Sequence, residues 1–196
     1  MGRASRADAA KHREEVVTAT ARLLRERGIA GTSVQDLMSS VGLTHGGFYK
    51  HFASKDELVG VAATAAFKEL QSLLIRISEE TPDRTQAQSA LFETYLSSEH
   101  RDAPGSGCAS AALASDVARS PADSALRESY RGGLKETVAV IACFRDQEGP
   151  GDERHREAIR ILATMVGALT LARAVGKSTL SEEILQVVRD SLEEKQ

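Results

Sequence analysis

The sequence predicts an all-α protein in two parts, a three-helix module over residues 1–60 and a larger helical body over residues 61–196. Three observations predict it. Apolar residues recur at three- and four-residue spacing through most of the chain. The four prolines, Pro82, Pro104, Pro121 and Pro150, fall between those stretches. No segment alternates apolar and polar residues between turn signals as a half-buried strand would.

From Ala9 to Arg27 the positions Val16, Val17, Ala21, Leu23 and Leu24 form one apolar stripe, and Gly28 stands where a helix C-cap belongs. Arg3, Arg6 and Lys11 precede this stripe as a basic, unstructured arm. Ser33 is an N-cap for a second helix carrying Val34, Leu37, Met38 and Val41, which Gly42 ends. Thr44 caps a third, short helix over 44–50 in which only Phe48 and Phe52 suit burial. His45, Gly46, Gly47, Tyr49, Lys50 and His51 are left on its other faces. Ser54 and Glu57 make a capping-box pattern that opens a long fourth helix through Leu58, Val61, Phe67, Leu70, Leu74 and Ile77. Further helices are expected near 84–98, 108–119, 122–146, 153–175 and 181–194, separated by DAPGSG, Pro121, EGPG and GKST.

With 196 residues, 41% hydrophobic and 27% charged, the chain falls in the globular class and can bury about 70% of its unfolded surface without disulfide or metal. Two cysteines, Cys108 and Cys143, and no apolar run behind the first basic residues imply a reducing cytoplasm. The longest apolar stretches are broken before membrane-spanning length. The formal charge of -3 hides an asymmetry. Residues 1–60 carry 9 Lys and Arg against 7 Asp and Glu, a charge of +2, and the remainder carries -5. A blanket nucleic-acid coat is excluded, but a mildly basic head on an acidic body is not.

Helix, glycine turn and short helix from Ser33 to Phe52 are the parts of a helix-turn-helix, whose second helix enters a DNA major groove. Thr44 and His45 suit base edges, while Tyr49, His51 and Lys55 suit phosphate oxygens. Two adjacent glycines cost a helix roughly 1 kcal/mol each relative to alanine. They make sense where backbone must approach DNA closely. His45 and His51 have no cysteine or carboxylate at ligand spacing, so no metal site is expected. His12, His100 and His155 read as isolated surface histidines, and Cys143 as a packed residue beside Val138, Ile141 and Phe144. No P-loop, nucleophile elbow or zinc-protease motif occurs, so neither catalysis nor a cofactor is expected.

The stretch S-V-Q-D-L-M-S-S-V-G-L-T-H-G-G-F-Y-K-H-F-A-S-K-D-E-L, Ser33 to Leu58, resembles the DNA-binding module of the TetR family of bacterial transcriptional regulators, most closely in F-Y-x-H-F-x-S-K. The resemblance implies a helix-turn-helix DNA-binding domain followed by a helical ligand-binding and dimerisation domain. It places Ser33 and Lys55 at phosphates, Thr44, His45 and Gly47 at the groove, and Tyr49 and His51 at the DNA backbone, with Gly46 and Lys50 also counted among the DNA-binding residues. It implies a repressor that binds a palindromic operator as a homodimer and is released by a small-molecule inducer.

By the same resemblance, Phe67, Leu74, Phe92, Tyr95, Leu96, Cys108, Leu113, Val117, Tyr130 and Phe144 lie on helices that enclose the inducer. At helical spacing the same residues also read as plain core. Ile159, Leu162, Ala163, Val166, Gly167 and Thr170 form one wide apolar surface and Ile184, Leu185 and Val188 another, both expected at a two-fold interface. An alternative mode of sensing uses Cys108. At the start of a helix its thiol can be made reactive to oxidants or electrophiles, although a free cysteine is more often a small buried residue.

Overall fold

Every regular element among the described residues, 6–144 and 151–194 of a computed structural model, is helical. In chain order these are α1 (Arg6–Arg27), α2 (Val34–Ser40), a 3-10 helix (His45–Lys50), α3 (Lys55–Glu80), α4 (Arg84–Tyr95), α5 (Ser98–Asp102), a 3-10 turn (Pro104–Ser106), α6 (Ala109–Arg119), α7 (Ala125–Ala142), α8 (Gly151–Ala174) and α9 (Thr179–Glu193). The all-α expectation holds, and most boundaries agree to within a few residues.

Four local expectations change. Arg6 and Lys11 belong to α1, where Lys11 lies 3.9 Å from Glu15 one turn on, so they are not a free arm; Arg3 and the turn through 145–150 lie outside the described residues. The third helix is 3-10 rather than α, as its six residues and two glycines offer little α propensity. Thr44 takes the N-cap position without a side-chain cap bond. The span 84–98 is two helices: α4 stops at Tyr95 and Ser97 caps α5 by accepting from the His100 amide at 3.1 Å. DAPGSG folds into the end of α5 and a 3-10 turn, and Gly105 packs against the Arg22 and Glu26 side chains of α1.

Three apolar clusters divide the interior. The first joins Val16, Val17 and Leu23 of α1 to Leu37, Met38, Phe48, Phe52 and Leu58. The second sets Ala21 and Leu24 against Val59, Ala62, Ala63, Ala66 and Phe67 of α3, with Leu113, Val117 and Leu126. The third, the largest, gathers Leu70 and Leu74 with α4, α7, α8 and α9. Helix α3 enters all three. Its apolar composition would suit a membrane span, but its apolar side is turned into these clusters. Against α7 the fit is close: a Cβ at Gly133 would overlap the Phe67 ring. One turn further on, the Gln71 amide donates to the Gly133 carbonyl at 3.0 Å and to Thr137 Oγ1 at 3.1 Å.

A polar joint ties α4, α5, α6 and α8 together. The Cys108 amide donates to His100 Nε2 at 3.0 Å, so that nitrogen carries no proton, and Nδ1–H donates to the Tyr95 carbonyl at 2.7 Å. Arg173 donates to the His100 and Arg101 carbonyls at 2.7 and 3.2 Å. Arg101 is itself buried and bonds Asp102, Ser181 and Glu182. His100 is therefore a bonded, largely buried histidine, where the sequence suggested a solvated one. Its ring partners are backbone groups five and eight residues away, across the break between α4 and α5 and the 3-10 turn, and side-chain patterning does not reveal them. Cys143 departs in the opposite sense: it is exposed at the end of α7, one residue beyond the buried face.

Two stability predictions follow from this packing. Replacing Gly133 with alanine should cost about 1–3 kcal/mol in chemical denaturation, because Phe67 must leave its place between α3 and α7. Burial, the largest cause, pushes His100 down to a pKa of about 4, below the ordinary 6.5. Between those values the unfolded chain binds the proton and the folded one does not. His100 thus contributes up to about 3 kcal/mol that is full above pH 6.5 and is lost on acidification towards pH 4. Denaturation midpoints of His100→Gln should fall less steeply across that window than those of the wild-type chain; equal slopes would assign the acid loss to carboxylates.

Candidate functional site

The helix-turn-helix is fixed from both ends. At the start of α2, Ser33 Oγ accepts from the Asp36 amide at 3.1 Å, and the Asp36 carboxylate accepts from the Ser33 amide and hydroxyl. This reciprocal box holds the Asp36 carboxyl below its usual range, chiefly through the Ser33 hydroxyl, and occupies the hydroxyl expected at a phosphate. At the other end Gly42 takes φ +71°, which a side chain would resist, and the Leu43 amide returns to the Met38 carbonyl at 2.9 Å. The chain then enters the 3-10 helix.

One side of that helix is anchored. Phe48 and Phe52 are buried with ring centroids 5.7 Å apart, and the Arg13 guanidinium sits 4.7 Å from the centre of the Phe52 ring. The opposite side is open: Thr44, Gly46 and Lys50 are exposed, and Tyr49 is 69% exposed with its ring edge-on to Phe48 at 5.1 Å. His51 is half-buried beside Phe52. The His45 side chain lies outside the described residues. Neither Gly46 nor Gly47 has positive φ; a Cβ at Gly46 would meet nothing within 4 Å, and one at Gly47 only ordinary contacts at 3.7 Å.

Lys55 departs from its expected place at a phosphate. Its ammonium turns inward and donates to the Thr32 carbonyl at 2.5 Å and the Ile29 carbonyl at 3.3 Å, tying the turn after α1 to the start of α3. Both carbonyls lie in the turn that follows Gly28, where α1 ends with φ +69°, and the Ile29 carbonyl also accepts from the Thr32 amide at 3.3 Å. Sequence reasoning missed this because the partner groups are backbone, more than twenty residues away. It also missed the contacts between head and body. Asp116 Oδ2 accepts from the Ile29 amide at 2.9 Å, Asp56 Oδ2 from the Ala125 amide at 3.1 Å, and Arg25 reaches the Ala66 carbonyl and Glu69.

The residues expected around an inducer do not form one wall. Phe67, Leu113, Val117 and Tyr130 belong to the second cluster, whereas Leu74, Phe92, Tyr95, Leu96, Cys108 and Phe144 belong to the third. Of the ten, Leu74 and Tyr95 line a cleft of about 530 Å³, with Leu70, Leu73, His100 and Ser106, which the sequence did not single out. Among the described residues the Tyr95 hydroxyl is buried without a hydrogen-bond partner; burial, then the neighbouring Cys108, pushes its pKa well up. Tyr130 donates to the Ser110 carbonyl at 3.1 Å and is pushed up to about 12, mainly by burial. Cys108 has no exposed surface.

On α8 and α9 the expected interface divides. Ile159, Ala163 and Thr170 are exposed, and Val166, Gly167, Ile184 and Val188 half-exposed. Leu162 and Leu185 instead pack into the third cluster and are unavailable to a second chain. Leu171, Val175, Leu180 and Val187, overlooked in the sequence, are exposed.

Residues 16–62 match the sequence profile described as bacterial regulatory proteins, tetR family. The HTH-type transcriptional repressor DhaR of Mycobacterium sp. (strain GP1) is 28% identical over 96 residues, 49% of this chain and 47% of that repressor. An uncharacterised HTH-type transcriptional regulator of Mycobacterium tuberculosis is 26% identical over 174 residues, 82% of this chain and 84% of its own. The crystal structure of a TetR transcriptional regulator from Chloroflexus aurantiacus, 25% identical, covers 96% of this chain and 95% of its own with a TM-score of 0.78. The helix-turn-helix geometry and these likenesses together identify residues 16–62 as a segment of the tetR-family kind, in a chain similar over its length to TetR transcriptional regulators.

Proposed function

We propose that the protein is a ligand-responsive repressor that binds a palindromic operator as a homodimer and is released by a small molecule. In this reading residues 1–60 read DNA and residues 61–196 sense and dimerise, the division falling inside α3 at Gly60, which packs on Ala125. The observation that carries the reading is the glycine pair. Positions 46 and 47 lie in an exposed helical turn with no positive φ and no crowding. Nothing inside the protein requires glycine there, so the requirement comes from an outside surface that meets the backbone closely.

Thr44, Gly46 and Gly47, with His45, then face the groove, and Tyr49, Lys50 and His51 the flanking phosphates. Ser33 and Lys55 act by holding the ends of the reading unit through their internal bonds. The 530 Å³ cleft, with the unpartnered Tyr95 hydroxyl beside it, is the inducer site, and α3 connects it to the head. The exposed apolar residues of α8 and α9 pair with a second copy, as a palindrome requires. Because Cys108 is buried, the thiol-sensing alternative gains no support from its surroundings.

Gly46→Ala should leave folding stability unchanged or raise it by up to about 1 kcal/mol, yet weaken binding to a duplex selected from a random library by the full chain. Undiminished affinity would contradict close backbone approach. Lys50→Gln should weaken specific and random duplexes alike and lower the salt slope of binding by about one. For the interface, Val187→Asp should convert dimer to monomer in light scattering with helicity retained, since Val187 is 59% exposed in the protomer; an unchanged mass would exclude this face.

A further inference from the structure

A second cleft, of about 460 Å³, lies between the end of α1 and the C-terminal end of α8. Its cations are Arg25, Arg101, Arg173 and Lys177, and its carboxylates Glu26 and Asp102. The carboxylates are already engaged. Glu26 takes Arg22 at 2.9 Å, and Asp102 takes Arg101 at 2.8 Å and Lys177 at 3.0 Å. Arg101 is engaged by Asp102, Glu182 and Ser181.

Two cations are left short. Arg173 donates only to carbonyls and, among the described residues, has no carboxylate partner, and burial lowers its pKa. Arg25, with a side chain 2% exposed, sends its Nη groups to Ala66 and Glu69 and leaves its buried Nε–H without a partner among the described residues. A guanidinium taken partly out of water without a counter-ion, and a buried donor without an acceptor, are each unfavourable. Both residues line this one cleft, where a single anion would offer acceptors to each.

We propose that this cleft is an anion site, which takes the carboxylate or phosphate of a small molecule between Arg25 and Arg173, with Lys177 closing over it. Lys177 is 77% exposed and can turn from Asp102 without unpacking anything. The site is distinct from the Tyr95 cleft and does not depend on the DNA-binding reading. Its occupant joins α1, which carries the head, to α8, which carries the exposed apolar face.

Calorimetric titration of the full chain with sodium phosphate and with sodium acetate, at ionic strength held constant with sodium chloride, tests the site. One saturable equivalent per chain of either anion is expected, and the stronger of the two identifies the group. Arg25→Lys keeps a cation near Glu69 but removes the Nε–H, and should weaken binding about tenfold. Lys177→Gln, on the surface, should weaken it several-fold with the circular dichroism spectrum unchanged. Absence of saturable heat with both anions overturns the proposal. So does equal binding by wild type and both variants, which would mark an adventitious ion only.

Discussion

The protein depends on one constraint, that a single helix must satisfy three apolar clusters along its length. Leu58 closes the head, Val59 to Phe67 fill the junction, and Leu70 and Leu74 enter the body. Each helical turn of α3 therefore has a different set of partners, and the helix cannot rotate or slide for one without disturbing the others. Close contacts at Gly60 and Gly133 pin it against α7 with no room for a side chain at either place. The position of the head relative to the body is thus a property of α3 packing.

Around this rod the polar contacts act as stops. The Ile29 amide, released where α1 ends, is taken by Asp116 of α6, and the first amide of α7 is taken by Asp56 of α3. Lys55 gathers the carbonyls left by the same turn. Each bond answers a backbone group that a helix end leaves unsatisfied, so the elements meet end to side at the junction. Helix α6 runs between two such points, its first turn held by His100 and its last by Ile29.

Much of this was legible beforehand. Gly28, Gly42, Ser33 and the Ser54–Glu57 pattern located helix ends because caps and positive-φ glycines are local devices. Phe48 and Phe52 were recognisable as the buried side of the third helix because no other apolar residue there could serve. The internal roles of Ser33 and Lys55 were not, since a hydroxyl or ammonium suited to phosphate is equally suited to a carboxylate or carbonyl nearby. Periodicity alone also could not separate Leu162 and Leu185, which face inward, from Ile159 and Val187, which face out. All four repeat at helical spacing, and only the packing partners distinguish them.

By itself the sequence determined the all-α class, the order of the helices and the helix-turn-helix, because helix periodicity, caps and turns act over a few residues. Tertiary structure alone decided which cations are neutralised and which are not. Arg101 and Arg173 look alike in the sequence, yet one meets two carboxylates and a serine while the other meets only carbonyls. It likewise turned His100 from an expected surface residue into the joint of four helices. The physical reason is range: charges and buried hydrogen bonds depend on groups brought together from distant parts of the chain, and their energies follow from burial that no local pattern encodes.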